Sequence, residues 1–170
     1  MKLFLIGLPG AGKSTIGRAL ATRLAMEFVD LDHEIEVREG MSVPEIFSSH
    51  GEDYFRRLEA ALLHNWATSD KNFVMSTGGG TPCFFEGINV INQHGISVFL
   101  DESVEIIVSR LVNNTHRPLL LSDNAEDMRI KLENLRAARL SYYEQATITV
   151  HSPTLAKVAE NLTSFTGGRQ

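Results

Sequence analysis

The stretch Gly7-Leu8-Pro9-Gly10-Ala11-Gly12-Lys13-Ser14-Thr15 constrains this chain more than any other. It fits the G-x-x-x-x-G-K-[ST] phosphate loop, and its flanks fit as well. The apolar run Leu3-Phe4-Leu5-Ile6 before it reads as a strand buried on both faces. Ile16, Leu20 and Leu24 after it recur at helical spacing. Strand, glycine loop and helix together form the setting in which such a loop cradles phosphate. Its glycines let backbone N–H groups approach an anion, and the following helix points its positive end at the same place. Gly10, Ala11, Gly12, Lys13, Ser14 and Thr15 are therefore expected to bind a nucleotide. Lys13 reaches for the β- and γ-phosphates, and Ser14 is a ligand for Mg²⁺.

The remaining chain reads as α/β. Strands are expected at Lys2–Ile6, Phe28–Asp30, Phe73–Ser76, Ser97–Leu100 and Thr147–Val150. Helices are expected at Lys13–Met26, His33–Arg38, Val43–Ser49, Asp53–Thr68, Val104–Val112, Ala125–Glu144 and Leu155–Phe165, with a frayed tail from Thr166. Alternation of this kind predicts a parallel sheet with helices on both faces. With 170 residues, 43% of them hydrophobic and 22% charged, the chain is expected to be one domain. No apolar run approaches the roughly 20 residues of a membrane span. Cys83 is the only cysteine, so no internal disulfide is possible, and a cytoplasmic setting is expected. The net charge of −5 argues against a nucleic-acid partner. The six histidines pair with nothing at metal-ligand spacing and receive no role.

In an open α/β sheet, ligands bind at the carboxyl ends of the strands. Four features lie there or nearby. The second strand ends in Val29-Asp30-Leu31-Asp32, and strand alternation points both carboxylates the same way. One suits the magnesium shell and the other an acceptor hydroxyl, although Asp32 also suits a plain helix cap. The third strand runs into Gly78-Gly79-Gly80, which fits either close approach to a substrate or a bare turn. Arg56 and Glu59 stand three apart on a helix, a spacing that also fits a surface pair, and Arg57 is expected to be solvated. On the helix Ala125–Glu144 an apolar stripe through Met128, Leu132 and Leu135 continues into Arg139 and then Tyr142. An arginine on a packing face needs an anion, either a ligand or a structural partner. Arg136 lies off the stripe and is expected to be solvated. Between residues 111 and 124, Arg117-Pro118-Leu119-Leu120-Leu121 reads as a lid whose cation, Arg117, meets a transferred phosphoryl group. Arg110 lies near enough for the nucleotide base, or simply serves as a helix-end cation.

Taken together, these residues resemble the shikimate kinase family over nearly the whole chain. The phosphate loop is shared with many nucleotide enzymes. More specific are Asp30-Leu31-Asp32, Phe55-Arg56-Arg57-Leu58-Glu59, the glycine triplet, Arg117-Pro118-Leu119-Leu120 and Arg139, in that order. The resemblance implies a five-strand parallel sheet of order 2-3-1-4-5 like that of nucleoside monophosphate kinases. Within it lie substrate-binding helices at about 32–62 and a lid at about 112–124. It also implies ATP and Mg²⁺ as cofactors and transfer of the γ-phosphoryl group to the 3-hydroxyl of shikimate by a monomer. By the same resemblance, Lys13, Asp32 and Arg117 are catalytic. Asp32, Arg56, Gly78, Gly79, Gly80 and Arg139 bind shikimate, Ser14 and Asp30 serve the metal, and Arg110 and Pro153 lie beside adenine. A gluconate-type or nucleoside monophosphate kinase is the rival within enzymes. A nucleotide switch is the rival outside them, although the chain has no Asn-Lys-x-Asp guanine-reading run.

Overall fold

A computed structural model describes residues 1–112 and 124–168. The strands are β1 (Lys2–Ile6), β2 (Glu27–Asp30), β3 (Phe73–Ser76), β4 (Ile96–Asp101) and β5 (Ile148–His151). The helices are α1 (Lys13–Leu24), α2 (Leu31–Glu39), α3 (Val43–Thr68), α4 (Gly87–His94), α5 (Val104–Val112), α6 (Ala125–Tyr143) and α7 (Leu155–Gly167), with a 3₁₀ turn at Thr81–Cys83. The sheet is parallel throughout, in the order β2-β3-β1-β4-β5. Its central strands are apolar without alternation because helices cover both faces. β5, at one edge, alternates instead, burying Ile148 and Val150 and exposing Thr149 and His151. Among the described residues, no helix is long and apolar enough to cross a membrane.

Register positions the site. Asp30 pairs with Ser76, and Ser76 with Leu5, so the carboxyl ends of β2, β3 and β1 stand abreast. The phosphate loop leaves β1 one residue later. Crossover helices return every strand to the same edge, which is why polar residues distant in sequence converge there.

Several boundaries depart from the sequence reading. The two helices expected within residues 43–68 are present, and they meet at a kink: Gly51, at φ 82° and ψ 172°, lies outside helical geometry and divides them. A capping box starts α3, with Ser42 and Glu45 each bonding the other's backbone N–H at 3.4 and 2.7 Å. Helix α4 was not foreseen. It is eight residues long, carries Asn and Gln beside Ile88 and Ile91, and has no side-chain N-cap bond. α7 continues through Thr166 and Gly167, where a frayed tail was expected. On α6 the apolar stripe ends on Tyr143, fully buried, and Tyr142 is exposed. Arg136 is half-buried and ion-paired with Asp101 at 2.9 Å, so it is not the solvated residue that was expected.

Candidate active site

The phosphate loop wraps the start of α1. Gly12 caps the helix at φ 97° with no side-chain bond, and the first turn holds no acidic residue. The helix therefore offers its unpaired N–H groups to an outside anion. Gly7, at φ 141°, packs so tightly that a Cβ would come within 2.8 Å of the Leu100 carbonyl oxygen. Lys13 is buried and folds back over the loop, donating from Nζ to the carbonyl oxygens of Gly7 at 2.9 Å and Leu8 at 2.8 Å. These bonds hold its ammonium against the loop.

A cavity of about 680 Å³ opens over this cradle. Every loop residue from Pro9 to Thr15 lines it, with Asp30, Asp32, Ser76, Gly78, Gly79, Arg110 and Pro153. The Ser14 hydroxyl donates to Asp30 Oδ2 at 2.8 Å and lies 3.0 Å from Ser76 Oγ. Three oxygens gathered beside a phosphate cradle form the hard donor set that Mg²⁺ takes. Ser76 had no part in the sequence reading; only its place at the end of β3 pointed to it.

Asp30 and Asp32 face the same cavity, though not by strand alternation. β2 ends at Asp30, and Asp32 stands in the first turn of α2. Asp30 is the helix cap, accepting from the His33 N–H at 3.5 Å, which leaves Asp32 free of capping duty. Burial raises the Asp32 carboxyl to about 6, helped by the negative charges of Glu59 and Asp30 and opposed by Lys13. A carboxylate titrating just below neutral pH suits a proton acceptor.

The glycine triplet is crowded on every side. A Cβ on Gly78 would meet Glu59 Oε1 at 2.7 Å and Asp32 Oδ1 at 3.1 Å. One on Gly79 would lie 3.0 Å from Arg139 Nη1, and one on Gly80 would lie 2.6 Å from both terminal nitrogens of Arg56. The triplet is the floor on which two guanidinium groups, Arg56 and Arg139, and two carboxylates, Asp32 and Glu59, converge. Arg56 and Glu59 form a buried pair at 2.8 Å in place of the surface pair their spacing allowed, with Glu59 also accepting from the Thr81 hydroxyl at 2.6 Å. Arg57 is solvated, as expected. Arg139 is half-buried, and the Tyr143 hydroxyl donates to the Gly79 carbonyl at 2.6 Å. Burial pushes that phenol up to about 12, so it remains a donor. Sequence reasoning missed Tyr143, because a one-residue shift of the stripe chose Tyr142.

Arg110 reaches toward the loop, with Nη1 3.4 Å from the Gly10 carbonyl oxygen and Nη2 held by buried Glu102 at 2.7 Å. Pro153, buried just after β5, lines the same cavity. Arg117 lies outside the described residues.

A family model for shikimate kinase matches residues 9–166. A shikimate kinase of Azobacteroides pseudotrichonymphae is 38% identical over 164 residues, covering 95% of this chain and 96% of that one. Shikimate kinase from Bacteroides thetaiotaomicron superposes with a TM-score of 0.88 at 32% identity, over 98% of this chain and 97% of that one. The Acinetobacter baumannii enzyme, solved in complex with shikimate, gives 0.85 at 34% identity, over 99% and 94%. With a nucleotide cradle, a glycine floor and two inward arginines now in place on a matching sheet, the chain belongs to the shikimate kinase family.

Proposed function

We propose that this site transfers the γ-phosphoryl group of ATP to the 3-hydroxyl of shikimate, giving ADP and shikimate 3-phosphate. The backbone of residues 10–15 and the Lys13 ammonium grip the triphosphate, while Arg110 and Pro153 flank the base. Arg56 and Arg139 clamp the acid's carboxylate above the glycine floor. Asp32 orients the acceptor hydroxyl and takes its proton as the oxygen bonds to the γ-phosphorus and the bridging oxygen to ADP leaves. Ser14 and Asp30 would hold Mg²⁺, which would supply charge neutralisation to the phosphates. Arg117 is the cation assigned to the moving phosphoryl group. The acceleration comes from positioning and charge stabilisation more than from proton transfer.

One observation carries this reading. The triplet that opens onto the nucleotide cavity at Gly78 and Gly79 touches Asp32, Arg56 and Arg139 at 2.6–3.1 Å from where its Cβ atoms would be. A nucleotide alone does not account for two guanidinium groups brought this close to one glycine floor. Coupled ADP release with ATP and Mg²⁺ tests it: turnover is expected with shikimate and not with gluconate, AMP or CMP. Release no faster with shikimate than without acceptor would overturn it.

A further inference from the structure

Arg56 is buried, yet only part of its guanidinium edge is committed. Nη1 donates to Glu59 and Nε to Glu52 at 3.3 Å, while Nη2 faces the Gly80 floor. Two aromatic rings lie against the guanidinium. The Phe55 ring centre lies 5.1 Å from Cζ, and the Phe84 ring centre lies nearer, at 4.4 Å. Phe55 belongs to the core, whereas Phe84 is 38% exposed and contributes little to it. Its nearest cation is this buried guanidinium, whereas the more exposed Phe85 beside it faces Arg57, which is solvated.

The chain goes to some length to place that ring. Directly after Phe84, Phe85 at φ 48° and Glu86 at φ 59° are consecutive non-glycine residues in the left-handed region. Each is disfavoured by about 1 kcal/mol or more and persists only where its surroundings enforce it. Two contacts enforce it here. The Gly87 N–H donates to the Phe84 carbonyl at 2.9 Å, and Gly87 packs so closely on the 3₁₀ turn that a Cβ would lie 1.9 Å from the Thr81 oxygen. The strained turn after the glycine floor thus returns an aromatic ring onto the arginine that the floor exposes.

We propose that Phe84 is a positioning residue for the acid acceptor: its ring lies against the Arg56 guanidinium, 4.4 Å from Cζ, and keeps the N–H edge turned toward the floor at Gly80. This rests on the reading of Arg56 as a ligand of the shikimate carboxylate. A cation–π contact suits the task because it attracts the guanidinium without offering its N–H donors a competing oxygen acceptor, so bonding to a carboxylate stays available. Phe84 touches no reacting atom and acts only through Arg56.

Steady-state kinetics of Phe84→Leu and Phe84→Trp in the full chain test this. Leucine keeps apolar bulk and loses the ring, whereas tryptophan keeps a face for the cation. Phe84→Leu is expected to raise KM for shikimate by about three- to tenfold, the range of a partly desolvated cation–π contact. Phe84→Trp should hold it within about twofold, with kcat and KM for ATP little changed in both variants, the split expected of an acceptor-binding effect. Equal rises in the two variants, or an unmoved KM in Phe84→Leu, would overturn the proposal while leaving the acceptor assignment intact. Wild-type turnover is read first: its absence with shikimate overturns the acceptor assignment and, with it, this proposal.

Discussion

Asp32 sets function against stability. Its carboxyl titrates at about 6 in the folded protein, against 3.8 for the free group, because burial, Glu59 and Asp30 all disfavour the charge. A gap of that size is worth about 3 kcal/mol. Below 3.8 both folded and unfolded chains carry the neutral acid, and nothing is lost. Between 3.8 and 6 the unfolded chain releases a proton that the folded chain retains, so stability falls as pH rises. Above 6 the loss is complete. Asp32→Asn removes this titration at nearly constant shape. Without nucleotide or Mg²⁺, the variant should exceed the wild type by about 1.5 kcal/mol at pH 5 and about 3 kcal/mol at pH 8. Urea unfolding of both proteins at pH 5, 6, 7 and 8 reads the difference directly. The same variant should lose about 10²- to 10⁴-fold in turnover, the usual range for a missing proton acceptor. A variant no more stable at pH 8 than at pH 5, relative to wild type, would refute the argument that this carboxylate is held charged at a cost.

Two further substitutions probe the glycine floor and the ion pair beneath it. Gly80 has φ −92°, so Gly80→Ala adds no backbone strain and acts only through a methyl group placed 2.6 Å from the Arg56 nitrogens. Displacing that guanidinium also loosens its buried pair with Glu59, so the thermal midpoint should fall, and KM for shikimate rises about tenfold or more as the acid loses an aligned guanidinium. An unchanged KM would remove Arg56 from the acid site. Glu59→Ala leaves the Arg56 cation buried without its main partner and should destabilise the fold by about 3–5 kcal/mol in urea titration. A cost under about 1 kcal/mol, typical of surface pairs, would show that the pair is solvated in solution.

The phosphate loop, the carboxylates after β2, the triplet and the arginine on the α6 stripe were legible as short-range signals at a strand end or on a helix face. The sheet order and the gathering of Asp32, Arg56, the triplet and Arg139 around one acid came instead from the family resemblance. What was not legible depends on tertiary context. Whether Arg56 and Glu59 formed a surface pair or a buried clamp turned on the Thr81 hydroxyl and the floor at Gly80, both of them far along the chain. Tyr143 was lost to its neighbour because residues four and three apart fall on nearly the same face, so periodicity alone does not fix the stripe's last member. Helix α4 was invisible because eight residues with two buried isoleucines carry too little periodicity to stand out. Asp30 and Asp32 reached the right cavity by a different route from the one alternation suggested. A strand that ends in a helix cap turns the second carboxylate inward as surely as a longer strand.

The central claim is that two separate anion sites share one glycine floor, with backbone amides and Lys13 for the triphosphate and Arg56 with Arg139 for the small acid. Isothermal titration of ADP and of shikimate into Lys13→Ala and Arg139→Ala tests it most directly. Lys13→Ala should lose ADP affinity and keep shikimate binding, while Arg139→Ala should keep ADP and lose about 2–5 kcal/mol of shikimate binding. Loss of ADP affinity in Arg139→Ala, or undiminished shikimate binding there, would contradict the claim.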